Sequence, residues 1–93
     1  MNENTVYSPG GDIVASMVEG AKREIKGLVA SSSGDFTMDF TNVEMIDSKG
    51  LSLIIATCNS LESAGRKLRI VGAIPDVVEL FRLMRLDQRF VIA

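Results

Sequence analysis

The sequence predicts an α/β fold, a mostly parallel central sheet of about four strands with about three helices. Three observations lead there. Segments with a two-residue apolar period alternate with segments whose apolar residues recur every three or four positions. Their order is strand, helix, strand, helix, strand, helix, strand, which right-handed crossovers convert into parallel pairing. Turn-forming residues mark the seams between them.

Each element has its own signal. Thr5-Val6-Tyr7 reads as a short strand, ended by Ser8-Pro9-Gly10-Gly11. Asp12 is placed to cap a helix running from Ile13 to about Ala30. Its apolar stripe is Ile13, Met17, Ala21 and Leu28, widened by Val14, Val18, Ile25 and Val29. Ser31 to Asp35 is a loop. Phe36, Met38 and Phe40 alternate with Thr37, Asp39 and Thr41, the period of a strand. Val43, Met45 and Ile46 carry the apolar character to a polar break, and Met38, Met45 and Met84 fit core positions. Beyond it Leu51, Ile54, Ile55, Cys58 and Leu61 share one face of a helix that starts near Gly50 and stops at Gly65. Leu68, Ile70 and Val71 mark a third strand, ended by Gly72. Pro75 opens a last helix whose inward face is Val77, Leu80, Phe81 and Met84. Phe90-Val91-Ile92 closes as a short strand.

Composition narrows the function classes. The 93 residues suit one small domain, 1–93. The net charge of −2 gives no basic field for nucleic acid. Lys22, Arg23 and Lys26 are interleaved with Glu19 and Glu24, as on a solvated helix face. The sequence contains no histidine, which removes Ser-His and Cys-His pairs and the commonest metal ligand. Cys58 is the single cysteine and reads as a buried thiol. Gly-x-Ser-x-Gly and Gly-rich phosphate loops are absent. No enzyme activity, metal or cofactor is therefore expected. The polar start, Met1 to Asn4, is no signal peptide, and Leu53 to Ala56 is too short an apolar run for membrane insertion. A cytoplasmic location is the default expectation.

The polar break, Asp47-Ser48-Lys49-Gly50 inside "MIDSKGLSLII", stands at a strand-to-helix junction. Two readings are open. Asp47 or Ser48 caps the helix by accepting from an orphan N–H. Alternatively, Ser48 is phosphorylated, at a helix start whose free N–H groups and dipole suit an anion. A phosphate there adds about −1.5 to −2 of charge, which a partner pressed against this corner would feel.

The stretch from Val43 to Phe90 resembles a STAS domain of the bacterial anti-sigma factor antagonist type. The resemblance lies in Asp47-Ser48-Lys49-Gly50-Leu51 after an apolar strand and in the Gly-basic-apolar run Gly65 to Val71. Pro75 and Leu86-Asp87-Gln88-Arg89-Phe90 complete it. "FTMDF", with Asp39, is similar to the family's preceding strand. Lys49 stands where the family has a small residue, and Ser52 where it often has glycine. The resemblance implies that Ser48 is the phosphoacceptor. It implies an anti-sigma factor that is also a serine kinase as partner, bound when Ser48 is unphosphorylated and released by phosphorylation. It further implies a serine phosphatase that resets the switch. The same family also implies an alternative. An unphosphorylated subunit would dock on a transporter ATPase of the lipid-transport type, or on a chemotaxis or stress-signalling scaffold.

The expected partner surface comprises Asp47, Ser48, Lys49, Gly50, Leu53, Ala56 and Thr57. With Leu51, Ile54 and Ile55 turned inward, Leu53 falls on the outer face among small and polar residues. There it would be an apolar anchor sharing one interface with Ser48.

Overall fold

The computed structural model describes residues 5–93; the expectation for the polar start lies outside them. Four strands form one sheet: β1 (Thr5–Tyr7), β2 (Phe36–Asp39), β3 (Leu68–Val71) and β4 (Val91–Ile92). Their order is β1-β2-β3-β4 and every pairing is parallel. Three helices connect them: α1 (Ala15–Ala30), α2 (Ser48–Ser63) and α3 (Pro75–Leu83). A short 3-10 turn, Leu86–Gln88, leads into β4. The expected α/β class, strand number and helix number all hold.

This strand order fixes the layering. Right-handed crossovers that all advance in one direction place every helix on the same face of the sheet. The burial pattern agrees. Phe36, Met38, Phe40, Leu68 and Ile70 are fully covered, whereas Thr37, Asp39, Arg69 and Val71, pointing the other way, are only half-buried. Val6, on the edge strand, is 60% exposed. The core lies between sheet and helices. Phe81 of α3 meets Phe40 at 6.1 Å and Phe90 edge-on at 5.1 Å, ring centre to ring centre.

The helix ends follow local chemistry. Pro75 opens α3, where its missing N–H costs nothing. Gly65, at φ 72°, ends α2. Its N–H donates to the Glu62 carbonyl, and the Arg66 N–H donates to the Leu61 carbonyl at 2.8 Å, a Schellman arrangement. The Arg66 guanidinium then ties the end of α1 to the following loop. It donates to the Val29 carbonyl at 3.0 Å, the Gly34 carbonyl at 2.7 Å and the Ser32 hydroxyl at 2.7 Å.

Four expectations need correction. First, α1 starts at Ala15 rather than Ile13, and Asp12 does not cap it. Ile13 is extended instead, bridging Ile46 in parallel, and a residue in a strand-like bridge cannot begin a helix. Second, α2 starts at Ser48, two residues before Gly50. Third, Met45 and Met84, expected inside, are 55% and 50% exposed. Met84 follows the last turn of α3, so the helical phase that would turn it inward has ended. Fourth, the inward face of α2 is rotated. Leu53 and Thr57 are buried, with Ile54, Cys58 and Leu61, while Leu51 and Ile55 are half-buried. The helix touches both the sheet and α1, so its covered arc is wider than one stripe and takes in Leu53.

Candidate functional site

The site is built where the chain leaves β2. Phe40 still pairs with β3, its N–H donating to the Val71 carbonyl at 2.8 Å. The loop that follows is fixed by Asp12, whose carboxylate accepts from the Glu44 and Met45 N–H groups at 2.9 and 3.1 Å. Ile13 then clamps the next residues. Its N–H donates to the Met45 carbonyl at 3.0 Å, and its carbonyl accepts from the Asp47 N–H at 3.2 Å.

Asp47 is therefore rigidly held, and its carboxylate serves two helices at once. Oδ1 accepts from the Gly50 N–H of α2 at 2.7 Å, and Oδ2 accepts from the Ala15 N–H of α1 at 2.8 Å. A carboxylate shared by two helix amino ends faces two positive dipole ends. Those backbone N–H groups, Gly50 first and then Ala15, hold the Asp47 carboxyl below the usual carboxylate range. The capping half of the sequence reading was therefore right for α2, and α1 is capped from a residue far away in the chain.

Gly50 has a steric reason. A Cβ at this position would overlap the Ile13 carbonyl oxygen and lie 2.7 Å from the carbonyl carbon. Only glycine lets the Ile13 segment press against the first turn of α2. Gly50, expected on the partner surface, is instead buried and shapes the corner from beneath.

Ser48 is the first residue of α2 and is exposed, as is Lys49. The Ser48 carbonyl accepts from the Ser52 hydroxyl at 3.0 Å. Met45, three residues earlier, adds an exposed apolar side chain that sequence periodicity had assigned to the core. Sequence reasoning missed these roles of Asp12, Ile13 and Met45; the parallel bridge between Ile13 and Ile46 that creates them leaves no local signal in the sequence.

The remaining expected residues lie elsewhere on α2. Leu53 is 7% exposed and Thr57 is 5% exposed, its hydroxyl donating to the Leu53 carbonyl at 2.9 Å. Ala56 is exposed. At 100° per residue, Leu53 is about 140° round the helix axis from Ser48. The residues expected to share one interface thus do not form one exposed patch, and Leu53 is buried rather than an exposed anchor.

Among the described residues no group of three or more His, Cys, Asp or Glu side chains could hold a metal ion. No helix among them is long and apolar enough to cross a membrane.

The fold is shared with solved structures. TM1081 of Thermotoga maritima, described as a candidate anti-sigma factor antagonist, superposes with a TM-score of 0.89 at 19% identity, over 99% of this chain and 80% of that one. The phosphorylated form of the Bacillus cell fate determinant SpoIIAA gives 0.76 at 18% identity, over 99% and 85%. A sulfate transporter family protein from Wolinella succinogenes gives 0.76 at 17% identity, over 92% and 70%. No curated protein sequence matches. The model of the STAS domain matches residues 2–93. With that match spanning the sheet, the three helices and the Asp47–Ser48 corner, the chain belongs to the STAS domain family.

Proposed function

We propose that this chain is a regulatory binding protein switched by phosphorylation of Ser48, an anti-sigma factor antagonist. In its unphosphorylated form it binds an anti-sigma factor that is also a serine kinase. Phosphorylation of Ser48 ends the complex, and a serine phosphatase restores it. It acts by binding, not by catalysis, and works in the cytoplasm.

One observation carries this reading. Ser48 stands exposed at the first position of α2, directly after an aspartate whose two oxygens are already engaged. The corner is rigid, so a kinase or partner meets a preformed shape. Two N–H donors hold Asp47 in place and lower its basicity. A phosphate on Ser48 adds a charge of about −1.5 to −2 beside Asp47, enough to repel a partner surface matched to the neutral hydroxyl. Exposed Met45 and Lys49 would flank that contact. The relatives support the reading, since SpoIIAA has been solved in both phosphorylated and unphosphorylated forms.

The second reading, a docking subunit without phosphorylation, draws on the likeness to the sulfate transporter family protein. Intact mass of the protein from its own cells separates the two. An added phosphate mapped to Ser48, lost in Ser48→Ala, supports the switch; Ser48→Ala should then keep the kinase bound in the presence of ATP. Unmodified Ser48 under all growth conditions, with a stable transporter complex, would favour docking.

A further inference from the structure

Between α1 and α2 lies an open groove with a free volume of about 130 Å³. Ile25 and Val29 from α1 and Leu53 and Thr57 from α2 form its walls and floor. Its rim carries two lysines and two small side chains. Lys22 and Lys26, one turn apart on α1, stand on one side; exposed Ala56 and Ser60 stand on the other. No acidic residue lines it, in a chain whose net charge is −2. The ion pairs among the described residues are Arg82–Glu79 and Arg89–Glu62, and neither lysine takes part.

We propose that this groove receives one apolar side chain of an acidic amphipathic helix from a partner protein, at a surface separate from the Ser48 corner. Size selects the apolar element. A cavity of roughly 150 Å³ takes one benzene ring, so this groove holds a single leucine or phenylalanine side chain and not a long acyl chain. Charge selects its flanks. Carboxylates one turn either side of the anchor would meet Lys22 and Lys26, whose spacing of four residues matches one helical turn. The small side chains of Ala56 and Ser60 let a backbone come close. The helices of a second copy do not qualify, because the exposed apolar pair at the end of α3, Leu83 and Met84, is bracketed by Arg82 and Arg85. The groove's α2 residues lie about 80–180° round the axis from Ser48, and all are more than one turn further along the helix, so occupancy does not depend on the phosphorylation state.

The test uses synthetic helical peptides with leucine anchors: one flanked by glutamates, the same peptide flanked by lysines, and one with the anchors replaced by alanine. Amide shifts in nitrogen-15 spectra map the site, and fluorescence anisotropy gives affinity at low and high salt. The acidic leucine peptide should shift the amides of Lys22, Lys26, Ala56 and Ser60 and bind more weakly in salt. Exchanging both rim lysines, Lys22→Glu with Lys26→Glu, should weaken it roughly tenfold or more while leaving circular dichroism unchanged. Ser48→Asp should leave it unchanged, a result that stands whether or not Ser48 is a switch. Equal binding of the acidic and basic peptides, shifts confined to Asp47–Lys49, saturation by decanoate instead, self-association through the groove, or no binding by the panel at roughly 1 mM would each overturn the proposal.

Discussion

Replacing Gly50 by alanine should destabilise the protein, although the same change usually helps a helix. In a helix interior, glycine is worse than alanine by about 1 kcal/mol. At Gly50 the added Cβ would lie 2.7 Å from the Ile13 carbonyl carbon and 2.9 Å from its Cγ2, besides overlapping the carbonyl oxygen. Ordinary contact begins near 3.4 Å. The Ile13 segment and α2 must therefore part by about 1 Å or more, an overpacking cost of about 1–3 kcal/mol. That movement breaks the 3.2 Å hydrogen bond from the Asp47 N–H to the Ile13 carbonyl, costing about 1 kcal/mol more. Set against the helix gain, the net loss is about 2 kcal/mol, or a fall in Tm of roughly 8–16 °C. Gly20 and Gly27 of α1 supply the controls, because a Cβ at either meets nothing within 4 Å. Alanine there should raise stability by about 0.5–1 kcal/mol each. Urea unfolding and thermal circular dichroism measure all three. A Gly50→Ala protein as stable as the unsubstituted one would refute the close approach of Ile13 and, with it, the rigid corner.

Leu53→Ala should cost about 2–3 kcal/mol in urea unfolding, the low end for a core leucine because the neighbouring groove already admits solvent. Leu53→Asp should unfold the domain, and a native-like melt would restore Leu53 to the surface. Asp47→Asn should be less stable than the parent at neutral pH. The folded carboxyl lies below its ordinary value of 3.8, so its contribution is present above that value and fades as pH falls through the lower, folded one. The gap between variant and parent should shrink below about pH 4, and a gap that stays constant into acid would count against the double cap. Asp39, lowered by Thr41, and Glu62, lowered by Arg89, leave the parent some acid sensitivity of their own. Cys58 is 1% exposed, and burial, then Glu62, pushes its thiol up. It should react with a thiol reagent slower than a free cysteine by roughly two orders of magnitude or more, and prompt labelling of the native protein would show the core to be open there.

The elements of the fold were legible because their signals are local. Alternation in "FTMDF", Pro75 at a helix start and Gly65 at a helix end each depend on a few neighbouring residues. Asp47 as a cap for α2 was legible for the same reason. Its second bond, to Ala15, joins positions that only the parallel bridge between Ile13 and Ile46 brings together. Nothing periodic records such a bridge. Leu53 was misplaced for a different reason. Leu51, Leu53, Ile54 and Ile55 are apolar in nearly every direction around the axis, so choosing one stripe meant discarding another. Contact with α1 as well as the sheet decides which is covered, and that is a tertiary fact. Met45 erred the opposite way: an apolar residue in an apolar stretch, left outside once the loop turned.

The strand order has a consequence for how the chain comes together. Thr5 pairs with Phe36, Phe36 with Leu68, and Arg69 with Val91, so each strand joins the one made just before it. The closures span 31, 32 and 22 residues, and closure entropy rises only slowly with length. No strand must wait for a later one to be inserted at its side. A chain emerging from the ribosome could lay down β1, then β2 beside it, then β3, with each crossover helix settling on the growing face before the next strand arrives. The Asp47–Ser48 corner would be complete once α2 has formed, ahead of β3 and β4. The surface proposed to carry the signal is thus assembled from the first two-thirds of the sequence, and the last third closes the sheet's far edge.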